Sequence, residues 1–170
     1  AGKQTCLDAI NFSKKPVTIS HANPNFFHQS IRNIDDEVLK LLAKNNGFIG
    51  LSLYPYHLKN YGDCKLEDFC EMINQLVNIM GEDNIGIGSD LCMNWPDSVV
   101  MWMRNGKWTK KIDYGESKNK NASWPKPLTW YSKPEDISAF LKGMILNGIS
   151  EKTAHKIAGS NWLNFMQNHF

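Results

Sequence analysis

Gly47-Phe48-Ile49-Gly50-Leu51-Ser52-Leu53-Tyr54, halted by Pro55, is the stretch that decides the fold. It is short, almost wholly apolar and bounded by Gly and Pro, as a strand buried on both faces would be. Two further runs share its character. Upstream, Pro16-Val17-Thr18-Ile19-Ser20-His21 places β-branched residues together and stops at the Asn23-Pro24 turn signal. Downstream, Asn84-Ile85-Gly86-Ile87-Gly88-Ser89-Asp90 reads as a third strand, its glycines implying close approach of backbone to something.

Helical patterns separate these runs. Thr5 to Phe12 spaces apolar groups helically ahead of the first strand. Ile34 to Lys44 has an acidic first turn and a basic end, closed by Asn45-Asn46-Gly47. Leu66 to Met80 repeats Phe69, Met72, Ile73, Leu76, Ile79 and Met80 on one side before Gly81. A helix from Glu135 to Leu146 follows Pro134, and a last one runs from Ser150 toward Phe165. Apolar strands alternating with helices imply parallel βα units. Three such strands fit a small open α/β protein or part of a barrel, and periodicity alone does not choose.

Residues at about 92–133 break the rhythm with Trp95, Trp102, Trp108, Trp124 and Trp130 and with prolines at 96, 125 and 127. This Trp/Pro-rich insertion within a 1–170 domain is expected to be a long loop or subdomain, serving as a lid or contact surface. Lys107, Lys110, Lys111, Lys118, Lys120 and Lys126 interleave with its tryptophans, as in a single-strand binder. The net charge of only +2 argues against nucleic acid as a partner.

With 42% hydrophobic residues the chain can bury a core, and no apolar run is long enough to span a bilayer. Cys6, Cys64, Cys70 and Cys92 show no Cys-x-x-Cys spacing, so reduced thiols are expected rather than a structural metal site. The opening Ala1-Gly2-Lys3 has no signal-peptide character; a processed or cut chain and a cytoplasmic location are expected.

In βα folds ligands gather at the C-terminal ends of strands. The three runs end in His21, Tyr54 and Asp90. Imidazole binds divalent metals, and a carboxylate can bind metal or shuttle a proton. Arg32, eleven residues after His21, could clamp a substrate carboxylate, or pair on the surface with Asp35 or Asp36. His28 and His57 stand near the strand ends as weaker candidates for supporting roles.

At these residues the sequence resembles the membrane (renal-type) dipeptidase family of zinc metallopeptidases. The matching pieces are Lys15 to Ala22, Ile31-Arg32-Asn33 through Leu39, Ile49 to Tyr54, Ile85 to Asp90 and Ile157 to Leu163. The resemblance implies the C-terminal half of a TIM-type (β/α)8 barrel, strands six to eight with flanking helices. Its edges would be covered by self-association or by a missing N-terminal half. It implies a dipeptide substrate and two zinc ions per site. His21 would be a metal ligand, Arg32 and Asn33 with Tyr54 the substrate-binding groups, and Asp90 the catalytic acid/base. The family's His-x-Asp pair, its bridging Glu and its other zinc histidine are absent, so the isolated chain is expected to be inactive. Leu91-Cys92-Met93 replaces the family's frequent Phe-Asp-Gly. A non-catalytic module binding through the Trp-rich loop, and a different metal-dependent amide or ester hydrolase, are the alternatives.

Overall fold

A computed structural model describes residues 2–105 and 123–169. Trp108, Lys107, Lys110, Lys111, Lys118 and Lys120 of the Trp-rich stretch lie outside the described residues. The three apolar runs are strands: β1 (Thr18–Ala22), β2 (Phe48–Leu51) and β3 (Ile85–Ile87). They pair in parallel in the order β1-β2-β3, with Thr18 opposite Phe48, Ile49 opposite Ile85 and Leu51 opposite Ile87. Main-chain bonds carry the alignment beyond the strands, Gly88 N–H donating to Leu51 O (2.9 Å) and Leu53 N–H to Ser89 O (3.2 Å).

Helices α1 (Lys3–Phe12), α2 (Asp36–Lys44) and α3 (Leu66–Met80) flank these strands. The amphipathic pattern explains what each buries: Val38, Leu39 and Leu42 from α2, and Phe69, Met72, Ile73 and Leu76 from α3. These side chains close on Ile49, Leu51 and Ile85 in one core. The acidic start and basic end of α2 complement its dipole. Gly81, at φ +79°, ends α3 in a conformation that costs glycine little.

The long last helix expected after Ser150 is interrupted. Ser150 Oγ does cap α6 (Glu151–His155), accepting from Thr153 N–H at 3.1 Å. The helix then widens through Lys156–Ser160 before α7 (Asn161–His169), and such wide turns insert an extra residue into the helical ladder. That turn brings Asn161 and Trp162 onto the sheet: Asn161 Nδ2 donates to Ile85 O (2.8 Å) and Trp162 Nε1 to Ile87 O (2.8 Å). Gly86 leaves room for the indole; a β-carbon there would lie 2.7 Å from Trp162 Cδ1. Lys156 and Thr153 bind Glu82, which leads into β3, and hold its carboxyl down at about 2.

Within the Trp-rich stretch, a helix α4 spans Asp97–Asn105. After it, Trp130 stacks on Phe140 of α5 (Ile137–Leu146), ring centroids 5.5 Å apart, and its Nε1 donates to Cys64 O (2.8 Å). The half-barrel expectation needs correction. The described strands form a small open parallel sheet within residues 18–87, in the N-terminal portion of the chain, and no barrel closes. Three strands leave β1 and β3 as edges, and closure requires more strands and a consistent stagger. Among the described residues no helix is long and apolar enough to cross a membrane.

Candidate functional site

Tyr54 and Asp90 each lie three residues beyond the last residue of their strand, Leu51 and Ile87, while His21 is the penultimate residue of β1. Leu51 faces Ile87 in register, so Tyr54 and Asp90 stand at the same chain offset after neighbouring strands. Asp90 adopts φ +53°, a left-handed conformation that a non-glycine residue enters at a cost unless its surroundings impose it. His21 is half-buried, with Nδ1 hydrogen-bonded to Ser20 Oγ at 2.8 Å.

The segment between β1 and α2 carries Arg32. Its neck is closed by a parallel bridge between Pro24 and Ile34, with Ile34 N–H donating to Asn23 O (2.9 Å) and Asn25 N–H to Ile34 O (2.8 Å). Inside the loop, Ser30 N–H donates to Asn25 Oδ1 (3.2 Å) and Arg32 N–H to Ser30 Oγ (3.3 Å). The surface pairing considered for Arg32 is not made: Asp35 takes Lys3 Nζ at 3.8 Å and Asn25 Nδ2 at 2.7 Å. Arg32, a partly buried residue, has no ion pair among the described residues.

Beneath this loop is a buried polar cluster. Asn23 and Ser52 are fully buried, Asn33 and His57 nearly so. Asn23 Nδ2 donates to Ser52 O (2.9 Å) and His57 O (3.2 Å); Asn33 Nδ2 donates to His28 O (2.8 Å) and His57 O (3.0 Å). Asn33 Oδ1 accepts from Asn23 N–H (3.1 Å). Ser52 Oγ meets His57 Nδ1 at 2.8 Å. Burial, and then the positive charges of Arg32, His21 and His28, bring the His57 imidazole down to about 4. Burial also lowers His28. Asn33, expected as a substrate-binding residue, is nearly buried, its amide engaged by the carbonyls of His28 and His57.

The expected site residues do not share one cavity. His21 and Arg32 line a groove of about 290 Å³ with Thr5, Cys6, Ile10 and Ile19. Tyr54 and Asp90 line a separate depression of about 60 Å³ with Cys92, Trp124, Leu128 and Tyr131. Asn33 borders a third, of about 400 Å³, beside Lys3, Ser30 and Asp35. Sequence reasoning missed Asn23 and Ser52. Asn23 was legible only as the start of an Asn-Pro turn, and Ser52 only as a polar interruption in an apolar strand.

No group of three or more His, Cys, Asp or Glu able to hold a metal ion occurs among the described residues. His21 brings one imidazole, which does not by itself make a zinc site. The expected zinc therefore does not fit the described residues alone.

The family profile "Membrane dipeptidase (Peptidase family M19)" matches residues 1–98. Dipeptidase aclJ of Aspergillus oryzae is 31% identical over 87 residues, 48% of this chain and 20% of that protein. Dipeptidase tcpJ of Claviceps purpurea is 24% identical over 156 residues, 84% of this chain and 35% of its own. Among solved structures, an amidohydrolase from Pseudomonas aeruginosa aligns over 98% of this chain and 49% of its own, with TM-score 0.84 and 27% identity. A metallo peptidase from Rhodobacter sphaeroides, liganded with a phosphinate mimic of the dipeptide L-Ala-D-Ala, aligns over 97% of this chain and 39% of its own. Its TM-score is 0.69 at 19% identity, a likeness of fold alone. The chain thus spans half or less of the proteins it matches.

These matches correct two expectations. The family match lies in the N-terminal region of this chain, so the reading of the chain as the C-terminal half only of a family member does not stand. Nor does the reading of its function as the C-terminal, inactive part of a zinc dipeptidase. The likeness supports a dipeptidase- or amidohydrolase-like fold overall, with the sheet and the candidate site in the N-terminal half.

Proposed function

The chain belongs to the membrane dipeptidase family, and on that premise we propose that residues 18–90 carry part of a site that hydrolyses dipeptides. The observation that supports this reading is the arrangement of His21, Tyr54 and Asp90 at successive C-terminal ends of parallel strands. In this reading the Arg32 guanidinium takes the substrate's terminal carboxylate through two parallel hydrogen bonds. Asn33, next to it, holds the loop from beneath. Tyr54 lines the pocket through its aromatic face. The Asp90 carboxylate takes a proton from the attacking water and delivers it to the leaving amine nitrogen. Its left-handed backbone favours such a role, because strained conformations cluster at reactive sites.

His21 would offer one imidazole to zinc; the described residues do not complete that site, and no step is derived through the metal. The residues 1–170 form one domain in this reading, with Trp124, Pro127 and Leu128 of the Trp/Pro-rich stretch walling the depression beside Asp90. The open edges of β1 and β3 favour pairing with a further strand, such as that of a second copy.

The test is amine release from a panel of dipeptides, with cyclic amides and esters alongside, in the presence of zinc. Dipeptide turnover that falls in Arg32→Met and Asp90→Asn is expected. Turnover of cyclic amides in preference to dipeptides would favour an amidohydrolase activity, the reading that the 27% identical Pseudomonas relative keeps open. Turnover of neither would overturn the proposal.

A further inference from the structure

We propose that His57 is a positioning residue, held as its Nε2–H tautomer by the Ser52 hydroxyl, that locks the Arg32 loop to the strand end bearing Tyr54. The proposal rests on the reading of Arg32 and Tyr54 as substrate-contacting groups.

Ser52 is fully buried, and its hydroxyl has two neighbours. Tyr54 N–H donates to Ser52 Oγ at 3.2 Å, and His57 Nδ1 lies 2.8 Å away. A buried hydroxyl proton without an acceptor is costly, and an amide N–H cannot accept it. The proton therefore goes to the lone pair of Nδ1, which leaves the ring's own proton on Nε2. Burial opposes a second proton, and the Arg32 guanidinium adds to that effect, so the ring stays neutral near pH 7.

The main-chain carbonyl of the same residue is held as well. That carbonyl accepts from Asn23 Nδ2 at the end of β1 and from Asn33 Nδ2 beside Arg32. Asn33 and Asn23 are themselves joined through Asn33 Oδ1. The Tyr54 ring meets the His57 ring edge-on, centroids 5.1 Å apart. One residue on the turn Pro55–His57 thus ties together the β1 end, the loop that carries Arg32 and the side chain of Tyr54. A residue that only filled the core would not need an imidazole oriented by Ser52 and set edge-on to Tyr54.

The experiment compares the chain with Ser52→Ala, which removes the hydroxyl and little volume. Imidazole nitrogen NMR should show His57 Nδ1 of the wild-type chain as the unprotonated, bond-accepting nitrogen, and loss of that preference in Ser52→Ala. The KM for alanylalanine, with zinc supplied, should rise roughly tenfold. Turnover at saturation should stay within about twofold. A proton on Nδ1 in the wild-type chain, or a lowered melting temperature with KM and tautomer unchanged, would overturn the proposal. If neither protein turns over any dipeptide, the functional reading fails and the lock is judged by amide exchange. Exchange at Arg32 and Asn33 roughly tenfold faster in Ser52→Ala supports it, and unchanged exchange refutes it.

Discussion

A β-carbon built on Gly88 would fall onto the main-chain carbonyl oxygen of Ser20, although Gly88 follows β3 and Ser20 belongs to β1. Strands two places apart in the sheet order therefore converge at their C-terminal ends, where His21 and Asp90 stand. The sheet is open in its pairing yet curled enough for backbone to meet backbone across it. Gly50, between them, meets the same Ser20 carbonyl. Two glycines thus allow the backbone of β2 and of the segment after β3 to approach the Ser20 carbonyl closely.

Gly88→Ala should destabilise the chain by about 2–3 kcal/mol, because the obstacle is main chain and cannot rotate away. Denaturant unfolding measures it. A change below about 0.5 kcal/mol, the scale of a neutral surface substitution, would mean that the convergence is not as described.

Asp90→Asn separates chemistry from conformation. Asparagine tolerates the left-handed backbone at φ +53°, so stability should stay within about 0.5 kcal/mol. Turnover of dipeptides should fall by roughly 10²–10⁴ if the carboxylate moves the proton. Retained turnover in a folded variant would remove Asp90 from that role.

The buried His57 gives stability a dependence on pH. Its folded value of about 4 lies below the ordinary 6.5, so between these values the unfolded chain binds a proton that the folded chain does not. Stability is full above pH 6.5 and is lost as pH falls toward 4, by about 3 kcal/mol if His57 acts alone. Melting temperatures across this window should decline less steeply in His57→Gln than in the wild-type chain. Parallel declines would assign the effect to other groups.

The cysteines should divide by burial. Cys64 and Cys70 are buried, and burial pushes both thiols up to about 12; Cys92 is exposed beside Asp90. A maleimide should modify Cys92 first and reach Cys64 and Cys70 only on unfolding. Alanylalanine should slow labelling of Cys92 if the depression it shares with Tyr54 and Asp90 takes substrate. Equal labelling of Cys64 in the native chain would contradict the packing beneath Trp130, whose indole bonds to the Cys64 carbonyl.

The strand centres were legible because each is a continuous apolar run, and α2 and α3 because their apolar spacing matches a helical face. The wide turn at Lys156–Ser160 was not, since nothing in Lys-Ile-Ala-Gly-Ser alters the helical period; contacts of Asn161 and Trp162 with β3 accompany it. The helix α4 was hidden by the prolines and tryptophans around it. The strand-end rule led to His21, Tyr54 and Asp90, but periodicity carries no information on which cavities they enter. The Asn23–Asn33–Ser52–His57 cluster left no pattern because two asparagine side chains hold it by donating to the main-chain carbonyls of His28, Ser52 and His57. Only tertiary structure brings those residues together.

The most direct test of the account is a titration of the labelled chain with alanylalanine, zinc present, followed by amide and side-chain NMR. Saturable shifts confined to Arg32, Tyr54, Asp90 and their neighbours are expected, and these should vanish in Arg32→Met. Shifts elsewhere on the molecule, or undiminished binding by Arg32→Met, would contradict it.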